Sequence, residues 1–391
     1  MPASSDARLT VTADFHDPRH EGRARRCRNR PVPRLGRLFE RTGDTDVTIA
    51  LSIHASSTQF FMSTTQVMPR VELKAVVTGL PATTKLDFTW RVQFDYSHFL
   101  QVPGARRRNV RTKSHPPMPA LKGNPVVVPF TTAMCGQLTV TVEVMIDGKL
   151  VKATRDDILI GGTNPSAAEL RRVVGSSVVR KLIQQESGGQ QFSDTGTRRW
   201  QATAINPNWS GDNLRGVGLG QLTNDPPTDD DIWNWRSNAT DLGRRFVAKR
   251  HSAAKLHTRI AASSRFQDEV KALNAWRALE GLAALKPVLP PLTSAQQNAE
   301  GLRAYNGFGI KVAGQYLDYV HEFELARAVL VSAKRKDAAG QPVKSALLLD
   351  VDTAGHAKWT QISGAERERR YNSSHKIGEP NYVAMVLAQP D

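Results

Sequence analysis

The sequence predicts an α+β chain of more than one domain, a β-sandwich followed by a mainly helical unit. Three observations predict it. The chain has 391 residues, more than one ordinary core organises. Between residues 46 and 162 apolar and polar residues alternate in short runs, the period of half-buried strands. From Ser166 onward the apolar spacing lengthens to that of a helix.

Residues 1–45 have no sustained period and carry the dense stretch Arg23, Arg25, Arg26, Arg28 and Arg30. They read as a basic, disordered leader, a solvated tail in preference to a nucleic-acid arm. Within 46–162, Val71–Thr78 alternates in part before the turn residues Gly79 and Pro81. Leu86, Phe88, Trp90, Val92 and Phe94 fall on one strand face, and Leu138–Ile146 alternates up to the hairpin signal Asp147–Gly148. With Trp90 in a central strand and Cys135 just before a later one, this unit resembles an immunoglobulin-like sandwich. It departs from that pattern because the strand around Leu73 and Ala75 offers Cys135 no partner. Gly161–Pro165 reads as a hinge. Beyond it, Ser166 is placed to cap a helix with apolar positions Leu170, Val173, Val174, Val178, Leu182 and Ile183. Further helices are expected over 237–250, 266–285 and 293–305, and 330–391 mixes loop and strand character. The helical unit is taken as 163–391.

A formal net charge of +16 favours an anionic partner such as nucleic acid, a membrane surface or an acidic wall polymer. No helix-turn-helix, zinc-finger or RNA-recognition pattern accompanies it, so nucleic acid is disfavoured. No apolar run reaches the roughly 18 residues of a membrane span. Met1–His20 lacks the basic-then-apolar pattern of a secretory signal. Cys27 and Cys135 are too few and too far apart for a disulfide framework or a zinc site. His321–Leu325 lacks the second histidine of a zincin, and His251 and His257 read as surface residues. No metal and no cofactor is expected.

The chemistry concentrates after the first helix. In Gln185–Gly189, Glu186 follows Val178 and Leu182 at intervals of four, so its carboxyl group tracks an apolar helix face inward. Gly188 and Gly189 end the helix there. A carboxyl group set against apolar side chains resists ionisation and is suited to donate a proton to a leaving oxygen. In Gly216–Leu222 the glycines let a ligand approach the backbone closely, and the Gln221 amide is suited to hydrogen-bond its polar groups. The stretch is no phosphate loop, because no Lys-Ser or Lys-Thr follows. Asn234–Asn238 places asparagines at a helix start, and Ala304–Gly307 reads Ala-Tyr-Asn-Gly.

These four segments, in this order, resemble the lytic transglycosylases, the soluble lysozyme-like family. The likeness covers residues 166–323 with a closing piece near 381–387. It implies Glu186 as the catalytic acid and Ser187, Gly218, Leu219, Gly220, Gln221, Asn238, Tyr305, Asn306 and Tyr382 as substrate-side residues. Tyr382, in Asn-Tyr-Val, is preferred over Tyr319 as the closing tyrosine of the cleft. The implied reaction breaks the MurNAc-β-1,4-GlcNAc bond of peptidoglycan glycan strands with one carboxylate, leaving 1,6-anhydro-MurNAc ends. It implies action in the periplasm or cell wall, reached through a specialised secretion or phage lysis route, with an immunity protein or the secretion or phage apparatus as possible partners.

The stretch 192–215 is longer than the family's usual and carries Trp200 and Trp209, either a stacking platform for sugar or a local mini-core. Asp229, Asp230 and Asp231 suit a helix N-terminus capped by Thr228 better than catalysis. Two alternatives stay open. Asp194 or Asp212 could activate water in a hydrolysing muramidase, or the chain could be an inactive wall-binding or structural module of a phage or secretion apparatus.

Overall fold

The computed structural model describes residues 49–100, 108–194, 200–210, 216–223, 227–307, 309–312, 315–319, 321–372 and 378–391. The arginine-rich leader with Cys27, and Asp212, lie outside them, as does the side chain of Tyr319. The fold is mixed α+β: strands make up the first half, and helices interleaved with further strands make up the second.

The first half contains β1 (Ala50–Ala55), β2 (Gln59–Phe61), β3 (Glu72–Thr78), β4 (Phe88–Leu100), β5 (Arg108–Ser114), β6 (Leu121–Lys122), β7 (Val126–Val127), β8 (Gly136–Ile146) and β9 (Lys149–Thr163). One sheet runs β1-β3-β7, and a larger one runs along β9-β8-β4-β5 with β2 and β6 at its sides. The alternation decides which face turns inward. Phe88, Trp90, Val92 and Phe94 of β4 and Leu138, Val140, Val142, Val144 and Ile146 of β8 are buried against Leu51, Ile53, Leu73 and Ala75 of the smaller sheet. The β8–β9 hairpin turns at Asp147 and Gly148, both at positive φ, as its sequence requires. Leu86 lies two residues before the strand and is half-buried. Cys135 is buried directly before β8, where burial, and then the nearby Asp194 carboxylate, push its thiol well up.

The helical half begins with α1 (Ala167–Val173) and α2 (Ser177–Ser187). The apolar period over Leu170–Ile183 predicts one continuous helix here. The chain breaks it at Val174–Ser176, because Gly175 is a poor helix former and Ser176 recaps by accepting the Val179 N–H. Ser166 caps α1 through a full capping box with Glu169. Next come β10 (Thr203–Ala204), α3 (Asp229–Trp233), α4 (Trp235–Ala254), α5 (Leu256–Ala261), α6 (Ser264–Leu279) and α7 (Ser294–Asn306). The chain closes with β11 (Gly309–Val312), β12 (Gln315–Tyr319), β13 (Phe323–Leu325), β14 (Arg327–Lys336), β15 (Pro342–Leu349), β16 (Trp359–Gln361), α8 (Gly364–Asn372) and α9 (Tyr382–Leu387). Helices α2, α4, α7 and α9 share a core of Leu182, Ile183, Trp235, Leu242, Leu302 and Val386. Thr228 caps α3 in a capping box with Asp231.

The expected hinge is no hinge. Gly161 and Gly162 end β9, and β10 from the helical half pairs beside them through Thr203↔Thr163 and Ala204↔Gly162. A Cβ at Gly161 would lie 2.2 Å from the Ala204 carbonyl oxygen, and one at Gly162 2.4 Å from the Phe192 ring. The glycines permit backbone contact, not motion. Trp209 Nε1 donates to the Tyr96 hydroxyl at 2.7 Å, and Trp235 Nε1 donates to the Thr64 carbonyl at 2.7 Å. The β core therefore continues through Phe192, Trp209, Val217, Ile232 and Trp233 into the second half.

Candidate active site

Glu186 occupies the last turn of α2. The helix stops because Gly188 takes a left-handed conformation (φ 64°) and returns its N–H to the Gln184 carbonyl. Leu182 and Ile183 are buried on the same helix, and Glu186 is half-buried, with its carboxylate Oε1 accepting a hydrogen bond from the Tyr382 hydroxyl. Tyr382 is the first residue of α9 and is itself buried. Helix α9 is strapped along α2: Lys181 Nζ donates to the Leu387 carbonyl at 2.7 Å, and Gln389 Nε2 to Gln185 Oε1 at 2.8 Å.

Tyr305, on the last turn of α7, donates its hydroxyl to the Gly220 carbonyl at 2.8 Å. Burial, and then the nearby Glu186 carboxylate, push its phenol well up, so it stays protonated and continues to donate. Glu186, Tyr382, Tyr305 and Gly220 thus converge from four separate segments.

The glycine turn is held from behind. Gly218 N donates to the Asn208 carbonyl at 2.9 Å, and Gly220 N to Asn238 Oδ1 at 2.9 Å. Gln221, at positive φ, folds its amide back onto the Gly218 carbonyl at 2.9 Å and the Asn208 carbonyl at 3.2 Å. Its amide braces the turn. The family resemblance implies Asn238 on the substrate side, near a helix start. The start of α4 is Asn234, whose side chain accepts from the Arg236 and Ser237 N–H groups. Asn238 lies one turn further in, fully buried, and its Nδ2 donates to the Val217 and Asp231 carbonyls, both at 2.9 Å.

Three other expected substrate-side residues also turn inward. Ser187 donates its hydroxyl to the Ile183 carbonyl at 3.0 Å, Leu219 is fully buried, and Asn306 Nδ2 donates to the Glu379 carbonyl at 3.0 Å. Gly218 is packed so tightly that a Cβ would lie 2.4 Å from both Asn238 Nδ2 and Gln191 Oε1.

Of the two tryptophans on the long loop, Trp209 is buried in the shared core and Trp200 is half exposed. Asp194, the candidate water-activating acid, accepts the Ile205 N–H at 2.7 Å and the Asn206 N–H at 3.1 Å. One of its oxygens is thereby committed to a turn. A cavity of about 520 Å³ opens along α4, lined by Thr228, Asp230, Arg236, Thr240, Asp241 and Arg245 among others. The charges of its Arg245 and Asp241 act on Tyr305, while neither Tyr305 nor Glu186 lines it.

Sequence reasoning missed the buried amides that build the scaffold. Asn164 Oδ1 accepts from Gln191 N and Phe192 N, both at 2.8 Å. Gln191 Nε2 donates to the Asp231 and Ile232 carbonyls, and Asn208 Nδ2 to the Gln190 carbonyl at 3.0 Å. Buried amides must be satisfied, and here each ties two loops together. The one local signal was the set of glutamines flanking Gly188–Gly189 (Gln184, Gln185, Gln190 and Gln191), which a hydrophobic period cannot register.

Comparison of the chain with protein-family models, with curated proteins and with solved structures finds no match.

Proposed function

We propose that the helical half is a lytic transglycosylase acting on the glycan strands of peptidoglycan, with Glu186 as its acid and base. In this reading the Glu186 carboxyl gives its proton to the glycosidic oxygen as the MurNAc-β-1,4-GlcNAc bond breaks. The substrate's N-acetyl group stabilises the developing cation. The carboxylate then accepts the proton of the muramic 6-hydroxyl as that oxygen closes the 1,6-anhydro ring. No second carboxylate is needed, in contrast to the paired acids of most glycosidases.

One observation carries the reading: a half-buried carboxylate at a helix end, hydrogen-bonded by Tyr382 and flanked by the phenol that anchors the glycine turn. Residues 196 positions apart meet on that single group. The commitment of Asp194 to the Ile205 and Asn206 N–H groups supports anhydro closure over water activation by that acid. The two-sheet unit is read as an immunoglobulin-like domain around Trp90 that backs the site. The place of action is the periplasm or cell wall, and the glycan strand is the partner.

The test is digestion of purified sacculi by wild type and Glu186→Gln, with product masses recorded. Wild type is expected to release ends one water lighter than hydrolysed ends, and the variant to be slower by roughly 10²–10⁴-fold. Hydrolysed ends from wild type, or equal rates from both proteins, would sink the proposal.

A further inference from the structure

The contact between Tyr382 and Glu186 is set from a distance. Helix α9 has six residues, too few to hold its own register in water, and its first residue carries the phenol. No side chain caps it at Asn381. Asn381 is tied by its N–H to Glu379 Oε1 and by its Nδ2 to Glu368 Oε1, both at 3.0 Å, and the turn before it is held from α7. Arg303, fully buried, donates from Nη1 to the Glu379 carbonyl at 2.9 Å and from Nη2 to the Pro380 carbonyl at 2.7 Å. Asn306, one turn along the same helix, donates to the same Glu379 carbonyl at 3.0 Å. That carbonyl also accepts the Tyr382 N–H at 3.2 Å.

The guanidinium is aimed by Glu322. Its Oε2 accepts from Arg303 Nε at 3.1 Å and Nη2 at 2.9 Å, with both side chains at 1% exposure or less. Its Oε1 accepts from Arg367 at 2.8 Å and Gln361 at 3.1 Å. The backbone of Glu322 is pinned in turn, because its N–H donates to Glu300 Oε1 at 2.7 Å. A planar fork with fixed donors suits this task, where a flexible ammonium does not.

We propose that Arg303 and Asn306 are positioning residues that seat the Tyr382 hydroxyl on the Glu186 carboxylate, with Glu322 orienting Arg303. The α7 helix then governs both tyrosines of the site, Tyr305 directly and Tyr382 through the turn at Glu379–Pro380. The proposal rests on Glu186 as the working group, but its physical content is separable from glycan cleavage.

The test titrates the Glu186 carboxyl by ¹³C NMR in the full-length protein, assigned by its loss in Glu186→Gln. A hydroxyl donated to a carboxylate favours the charged form, so Tyr382→Phe is expected to move the midpoint to higher pH. Asn306→Ala and Arg303→Lys are expected to move it part of the way in the same direction. Adding Asn306→Ala to Tyr382→Phe should move it no further, the signature of action through one group. On sacculi, Arg303→Lys should lower kcat up to about a hundredfold with KM little changed, as a misplaced catalytic group does.

An unchanged midpoint in folded Asn306→Ala, or an additional shift in the double variant, would overturn the inference. So would a midpoint unmoved by Tyr382→Phe. If Arg303→Lys unfolds, Asn306→Ala, which loses one half-buried hydrogen bond, carries the test. Sacculi left intact by a wild-type protein whose titration behaves as expected would remove the glycosidase reading and leave the positioning role standing.

Discussion

At the residue scale, the site is a study in what a phenol does when buried. Tyr382 donates its hydroxyl to Glu186, whereas Tyr305, which feels the same carboxylate's charge, donates its hydroxyl to the Gly220 carbonyl at 2.8 Å. Tyr305 is kept from ionising by burial and by the neighbouring carboxylate, so its hydrogen bond persists at any working pH. Tyr305→Phe removes that bond and leaves the carbonyl short of a partner, which costs about 1–2 kcal/mol. Thermal melts of the two proteins check it, with equal midpoints as the contrary result. The same change frees the glycine turn, so sacculus digestion should slow while Glu186 still titrates.

At the scale of the element, two glycines at nearly the same backbone angle have different obligations. Gly218 (φ +73°) and Gly307 (φ +69°) are both left-handed, where a side chain costs roughly 1–2 kcal/mol. Around Gly307 a Cβ meets nothing within 4 Å, so it ends α7 and nothing more. At Gly218 a Cβ would meet Asn238 Nδ2 and Gln191 Oε1 at 2.4 Å, both buried and both hydrogen-bonded. Gly307→Ala is therefore expected to cost about the backbone term alone. Gly218→Ala should cost at least about 2 kcal/mol more, since it displaces the amides that hold the turn. Urea unfolding of the pair decides it; equal destabilisation would mean that the amide scaffold adapts freely.

At the scale of the molecule, the strand and helical halves are not independent. The β core extends through Phe192, Trp209, Val217, Ile232 and Trp233, and β10 pairs with the last strand of the first half. The indoles of Trp209 and Trp235 each find their acceptor across this junction, on Tyr96 and Thr64. Cutting at Pro165 would expose those side chains and leave both indole N–H groups without their partners. A fragment spanning 166–391 is accordingly expected to aggregate or to lack a cooperative melt, while the full chain unfolds in one transition. A soluble, cooperatively folded fragment would show that the junction is dispensable.

Local pattern was enough for much of this. The inward faces of β4 and β8, the Asp147–Gly148 hairpin, the caps at Ser166 and Thr228 and the stop after Glu186 depend on neighbours within a few residues, so they are legible in order of sequence. The break between α1 and α2 was missed because one glycine is a weak signal against a strong apolar period. The misreading of Gly161–Gly162 as a hinge has a similar cause: glycine marks both freedom and close approach, and only the Phe192 ring and the Ala204 carbonyl distinguish them. Short-range pattern thus suffices for the mixed α+β class, the strand faces, the helix caps and the placement of Glu186 at a helix end. Tertiary structure alone decided that Tyr382 reaches that carboxylate, that Arg303 and Asn306 hold the turn before it, and that Asn238 serves the scaffold. Those are contacts between segments far apart in the chain, and no periodicity encodes which distant polar groups a fold will bring within hydrogen-bond reach.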